Sequence, residues 1–374
     1  MQKQSISKPK ILILAMAAGE LTQGIALAKY AIQQGARVDF VLRLKENRSL
    51  LSQFENTSEI RIAPSTTSLK EHLAELKPDV FVLCNSKAVT YYKEFLERPP
   101  VDIPVTVTLD SNWLFRTDED WYQYASWAQA HIIVFPEKVF QAGMATGGGD
   151  YTIPEKPLSK MHAVGFLPSQ ERPSEQEIAL IRKKYALAID EKYIFSYFGG
   201  YGAPLRPWAL ENLIRAVAIL IERGEKIRII NVTPEQNRQD PIFRKLWIES
   251  VSNLAQHEFF LALASADLVF QHQGLGTLVQ AVSAGIPVIA NVMDAKDEPF
   301  ERTAHAWEVG PFFRLGMCSM LYKSTPTDTV ANEIHVLLHN KARRDTMIAA
   351  QKEYYEQGEA HAYNIITSLV NKHS

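Results

Sequence analysis

The chain has 374 residues, 46% hydrophobic and 22% charged, a composition that excludes disorder and fibrous structure and a length that suits two domains. Forty Lys plus Arg against 42 Asp plus Glu leave a formal charge of −2, without the excess of basic residues that general nucleic-acid binding uses to displace counterions. Two cysteines, Cys84 and Cys318, lie far apart with no CxxC spacing, which excludes a disulfide scaffold and a cysteine-based zinc site and fits a reducing compartment.

Lys8 and Lys10 precede the apolar run 11–18, and Ala15-Met16-Ala17 imitates a signal-peptide cleavage site. The run is short, however, and passes directly into an amphipathic segment closed by Gly35. A buried strand at 11–15 followed by a helix at 22–34, with Ile25, Ala28 and Ile32 on one stripe, accounts for both halves. No stretch approaches the ~20 apolar residues of a membrane span. The expectation is a cytoplasmic protein with at most peripheral membrane contact. Strands are expected at 38–42, 80–84, 105–109 and 131–135, all apolar or β-branched, as strands covered on two faces must be. Glycines and prolines crowd 143–176, which reads as a linker.

Beyond it, helices are expected at 175–186, 208–223, 258–264, 277–284 and 329–339, and strands at 193–198, 227–232, 268–271 and 288–292. A single long polar helix is expected from Lys341 to about Lys372. Strands alternating with helices imply parallel βαβ units. The predicted fold class is α/β, with two Rossmann-like doubly wound domains at 1–168 and 169–374 and scope for the C-terminal helix to pack back on the first. Open sheets of this kind bind ligands outside the carboxyl ends of their strands, so a cleft between two such edges is the expected site.

The most informative stretch runs from Ala266 through Gln271-His272-Gln273-Gly274-Leu275-Gly276-Thr277 to Gly285-Ile286-Pro287. A buried strand ends near His272, a glycine turn follows, and a helix opens near Thr277. The unpaired N–H groups and positive dipole end of such a helix favour phosphate. A turn that merely joins strand to helix is the competing reading.

His-x-Gly-x-Gly-Thr, then Ala284-Gly285-Ile286-Pro287-Val288, then Asp297-Glu298-Pro299-Phe300, then Glu308-Val309-Gly310 resembles the donor half of GT-B glycosyltransferases. The likeness is to nucleotide-sugar enzymes of bacteria and plants and the peptidoglycan N-acetylglucosaminyltransferase. It implies a nucleoside-diphosphate-sugar donor, with UDP the family's commonest choice and no required cofactor; a divalent ion is optional in such families, and no residue is assigned to a metal. His272, Gly274, Gly276 and Thr277 would hold the diphosphate. Gln280 stands where a ribose-binding carboxylate is usual, Asp297 and Glu298 would contact the sugar, and the base would lie near Gln256. The glycines of Phe198-Gly199-Gly200 would let a backbone N–H reach the donor; a plain turn is the alternative. Gln273 replaces a small residue in the turn.

On the acceptor side, the same resemblance aligns Glu20 with the histidine that deprotonates the acceptor hydroxyl. A carboxylate is chemically competent for this, and an ordinary first-turn acid favoured by the helix dipole is the competing reading. Asp110, after the strand at 105–109, is a second candidate base or a helix cap, and Trp113 a sugar platform or core residue. The implied reaction is a single displacement with inversion on a small-molecule, glycan or lipid-linked hydroxyl acceptor. The alternatives are a nucleotide-sugar hydrolase or epimerase, and a non-catalytic nucleotide-sugar-binding subunit.

Other readings fail or weaken. Asp118-Glu119-Asp120 reads as a solvated helix start. His335 and His339 have HxxxH spacing, but no zincin glutamate follows His335 and the sequence offers no evident third ligand. No GxSxG elbow, Walker lysine motif or dinucleotide GxGxxG with a ribose acid occurs.

Overall fold

The computed structural model describes residues 8–16, 18–85, 88, 92, 103–111, 127–144, 160–168, 170, 172–198, 207–232, 248–251, 254, 256–272, 274–294 and 309–373. The chain divides into two units: Met1–Ser169 with Glu356–Ser374, and Gln170–Tyr355.

The first unit is built on a parallel sheet of β1 (Lys10–Ala15), β2 (Arg37–Leu42), β3 (Ile60–Ile62), β4 (Val80–Cys84), β5 (Val105–Asp110), β6 (Ala130–Ile133) and β7 (Met161–Ala163). Their order is β3-β2-β1-β4-β5-β6-β7. The continuous apolar run of β1 follows from its central place. Ile11, Ile13 and Ala15 enter the core under α1 (Ala18–Gln33), while Leu12 and Leu14 enter a second core with Leu69, Leu73 and Leu76 of α2 (Thr66–Leu76). Alternate residues of one strand thus feed two layers. On α1, Ile25 and Ala28 are buried and Ile32 packs against the same core, the stripe the periodicity predicts. Gly24 is where the helix comes closest to the sheet: a Cβ there would meet Cys84 Sγ and Ile13 Cγ2, each at 2.9 Å.

Two expectations are corrected. The stretch 143–176 is not wholly linker, because β7 falls within it and pairs with β6. The single long C-terminal helix is two, α9 (Lys341–Tyr354) and α10 (Glu359–His373). Between them Phe166 N–H donates to the Glu356 carbonyl at 2.7 Å and Gly358 N–H to the Phe166 carbonyl at 2.8 Å. That extended pairing takes the backbone groups a continuous helix would need. α10 then packs on α1, burying Ala362, Tyr363, Ile366 and Val370, with Tyr30 and Tyr363 edge to face at 5.8 Å.

The second unit repeats the plan. It contains α4 (Glu175–Lys184), β8 (Lys192–Tyr197), α5 (Pro207–Glu222), β9 (Ile227–Val232), β10 (Ile248–Val251), α6 (Gln256–Ala264), β11 (Leu268–His272), α7 (Leu275–Ala284), β12 (Val288–Val292), β13 (Ser319–Tyr322) and α8 (Thr327–His339); α3 (Glu137–Met144) belongs to the first unit. The parallel order is β10-β9-β8-β11-β12-β13. Ile194, Leu268, Phe270 and Ile289 meet α5 and α8 through Leu213, Val217, Ile334 and Leu337. Among the described residues no helix is long and apolar enough to cross a membrane.

Candidate functional site

In each sheet the first strand of the unit lies inside and the chain winds outward from it in both directions. The winding reverses between β1 and β4 in the first unit and between β8 and β11 in the second. At such a reversal the connections leave toward opposite faces, and a crevice opens at the strands' carboxyl ends.

In the second unit, β11 ends on His272 and α7 begins at Leu275, with Gly274 as N-cap in extended conformation. Gly274 N–H donates to His272 Nδ1 at 3.0 Å. Because a backbone amide can only donate, Nδ1 must be the unprotonated nitrogen, so the neutral ring carries its proton on Nε2 as a donor. A Cβ on Gly274 would sit 2.7 Å from His272 Cε1, so the ring's position requires glycine there. A Cβ on Gly276 would meet nothing within 4 Å. Among the described residues no side chain caps α7. By contrast α2, α4 and α9 are capped by Ser65, Ser174 and Asn340.

Thr277 and Gln280, further along α7, are buried, and Gln280 Oε1 has no hydrogen-bond partner among the described residues. The same holds for both polar atoms of Gln271, fully buried at the penultimate position of β11. An unmatched buried amide of this kind costs about 1–3 kcal/mol, so three such atoms beside one turn suit an added ligand. His272, Gly274, Gly276 and Thr277 therefore share one strand–helix turn, and Gln280 lies about one helical turn further along α7. Gln256 opens α6, which packs against α7. Tyr197, at the end of β8, lies 6.2 Å from the His272 ring centroid, and burial pushes its phenol up to about 12. Gly199, Gly200, Asp297 and Glu298 lie outside the described residues, as do Trp113 and the acidic run 118–120.

In the first unit, Glu20 lies in the first turn of α1. Its carboxylate accepts from Met16 N–H at 3.3 Å and from Asn85 Nδ2 at 2.9 Å. Asn85 directly follows β4 with a left-handed φ of 84°, a conformation Asn tolerates better than most residues. Its own N–H donates to the Leu109 carbonyl at 2.7 Å. These bonds tie the exits of β1, β4 and β5 together. Asp110 ends β5 fully buried. It accepts from Thr108 Oγ1 and lies 3.5 Å from His131 Nδ1, which is itself 2.8 Å from Thr108 Oγ1. The Cys84 thiol is pushed well up by burial first and then by the charges of Glu20 and Asp110, so both acids act on one point.

Thr108, His131, Asn85 and Gln271 were not among the sequence candidates. Their shared signal is a polar residue within or directly after an apolar strand, where burial leaves few structural uses for it. Ser196–Asn231 at 2.9 Å and Asn212–Asn291 at 3.1 Å have the same origin in the second sheet. Among the described residues, the group able to hold a metal ion is Glu225, His335 and His339. Glu225 precedes β9, at the opposite edge of the sheet from His272.

No protein-family profile matches the chain, and no curated protein matches it in sequence. Solved structures match it along nearly its whole length. Among them is S. aureus MnaA in a co-structure with UDP, at 15% identity and TM-score 0.69 with 97% of each chain covered. Another is a Listeria monocytogenes protein described as a UDP-N-acetylglucosamine 2-epimerase, at 14% identity and TM-score 0.65, covering 95% of this chain and 94% of that one. A third is CalG4, the calicheamicin glycosyltransferase, at 14% and 0.61 with 97% and 98% covered. At these identities the likeness is one of fold. The chain has the GT-B fold of two Rossmann-like units that the motif around His272 predicts.

Proposed function

We propose that the second unit binds a nucleoside-diphosphate sugar, with UDP as the first nucleotide to test, and that the protein transfers the sugar to a hydroxyl acceptor with inversion. The observation that carries this reading is the uncapped start of α7 behind His272. The first-turn amides of α7 and the imidazole of His272 would meet a leaving diphosphate as it gathers negative charge, and donors already in place there lower the barrier without reorganising. Thr277 and Gln280 supply further polar groups, while Gln256, Asp297, Glu298, Gly199 and Gly200 are the proposed contacts to base, sugar and donor backbone. Glu20, oriented by Met16 and Asn85, is the proposed base, and Asp110 the second acidic group on that edge.

A second reading, hydrolysis or epimerisation of the nucleotide sugar, is favoured by the Asp110–Thr108–His131 network. It adds a buried hydroxyl and imidazole, two residues inside their strands, behind Asp110 at the sheet edge, more acid–base groups than a single displacement needs. One assay separates the two. Purified protein is incubated with UDP-sugars, with and without a panel of hydroxyl acceptors, and products are followed by NMR. Sugar transfer with inverted anomeric configuration that depends on acceptor supports the proposal. Free sugar or a new epimer formed without acceptor replaces it with the second reading. Binding with no turnover across the panel points to a non-catalytic subunit. Under the transferase reading Glu20→Gln lowers kcat by about 10²–10⁴-fold with donor affinity unchanged.

A further inference from the structure

His335 and His339 stand one turn apart on α8, and neighbours at i and i+4 face the same way. Their rings lie 4.8 Å apart between centroids. The structure supplies what the sequence lacked, a third group from elsewhere in the chain. Glu225 sits 110 residues before His335 in sequence, yet Glu225 Oε1 meets His335 Nδ1 and Glu225 Oε2 lies 2.8 Å from His339 Nε2. The backbone holds Glu225 firmly in place. α5 ends in a turn in which Gly224 has a left-handed φ of 91°, Gly224 N–H donates to the Ile221 carbonyl at 2.9 Å, and Glu225 N–H donates to the Leu220 carbonyl at 3.1 Å.

The nearby cations are engaged elsewhere. Arg223 reaches Asp328 and Asn332, and Lys226 reaches Asp190. The Glu225 side chain is 13% exposed and the two imidazoles are 52% and 40% exposed, so the carboxylate forms the floor and the rings the open rim. We propose that Glu225, His335 and His339 form a binding site for a divalent transition-metal ion of the zinc type.

Two imidazole nitrogens and one carboxylate are a donor set that holds zinc with a position left open, whereas magnesium prefers oxygen ligands alone. The three ligand atoms lie within 4.8 Å of one another. Ligands of a tetrahedral zinc at ~2.0–2.1 Å stand about 3.3–3.4 Å apart, so side-chain rotation without backbone movement forms the site. A carboxylate can only accept, so the ring nitrogens that now face Glu225 carry protons; on binding, each of those protons moves to the ring's other nitrogen or leaves to solvent, and the freed lone pair meets the ion. The ion would pin the last turn of α8 to the α5–β9 connection. That edge is about one strand length, roughly 17–20 Å, from the His272 turn, so the metal would stabilise the unit and take no part in sugar chemistry.

The test uses the full chain after chelator treatment, with Zn²⁺ in calorimetry and Co²⁺ in visible spectroscopy. The expected result is one ion per chain, a rise in melting temperature with Zn²⁺ but not with Mg²⁺, and Co²⁺ bands typical of fewer than six ligands. His335→Ala and His339→Ala, both at exposed positions, should each weaken Zn²⁺ at least tenfold and leave UDP affinity unchanged. Equal Zn²⁺ affinity in the His335→Ala/His339→Ala double variant overturns the proposal. So does a stoichiometry of zero, or an equal stabilisation by Mg²⁺.

Discussion

At the scale of single residues, the two glycines of the His272 turn serve different ends, and substitution should separate them. Alanine at Gly274 would push a Cβ to 2.7 Å from His272 Cε1 and drive the ring from its place. Gly274→Ala should therefore disturb the free protein as well as the complex. Alanine at Gly276 meets nothing in the free protein. If the diphosphate approaches the first-turn amides closely, Gly276→Ala should leave the melting temperature unchanged and still weaken UDP about tenfold or more. His272→Ala removes one donor to a charged group, worth about 1.5–3 kcal/mol, and should raise the UDP Kd roughly 10- to 150-fold. Titration calorimetry of the three variants beside melting curves reads all of this. UDP affinity unchanged in both His272→Ala and Gly276→Ala would remove the diphosphate from this turn.

At the scale of elements, the join between β7 and α10 rests on Gly165 and Gly358. Gly165 has a left-handed φ of 109°, and a Cβ there would lie 2.6 Å from the Glu356 carbonyl oxygen; one on Gly358 would lie 2.8 Å from that of Gly165. Both obstacles are backbone, which cannot swing aside as a side-chain tip can. Gly165→Ala should cost more than the ~1 kcal/mol typical of a strained glycine site, and it should loosen α10 from α1. Hydrogen exchange along α10 that stays as slow as in the parent protein would refute it. This join also shows where sequence reasoning stops. The central strands β1, β4, β8 and β11 are legible because burial on two faces demands unbroken apolar runs. β3 and β13 are short, and their half-exposed residues carry no such run. The break after Tyr354 depends on a pairing with Phe166, nearly 200 residues away, which no local window contains. The His272 turn was legible because glycine spacing is local. The Asp110–Thr108–His131 network was only half legible, since it is made by the register of β5 against β6. Glu225 joining His335 and His339 was not legible for the same reason.

At the scale of the whole molecule, each unit has its own core and so can melt as its own cooperative step. Each also holds one fully buried thiol and a phenol that burial pushes up. Burial raises the thiols of Cys84 in the first unit and Cys318 in the second, and it pushes Tyr92 and Tyr197 up to about 12. A thiol whose folded pKa lies above its unfolded value of about 8.5 keeps its proton in the native state while the unfolded chain loses it. The unfolded state then binds fewer protons, so stability is intact below pH 8 and falls as pH rises from there toward the folded value. A thiol that stays protonated in the folded state throughout this range removes about 2 kcal/mol between pH 8 and pH 10, with the phenols contributing chiefly above pH 10. For units of this size that is a fall of about 4–8 °C in melting temperature. Calorimetric scans at pH 8 and pH 10 measure it, and the variants assign it. Cys84→Ala should flatten the alkaline slope of the first unit alone, and Cys318→Ala that of the second alone. The slope is the readout, so any fixed cost of the substitution drops out. An alkaline shift of the same size in the double variant as in the parent protein would mean that these thiols ionise as readily folded as unfolded.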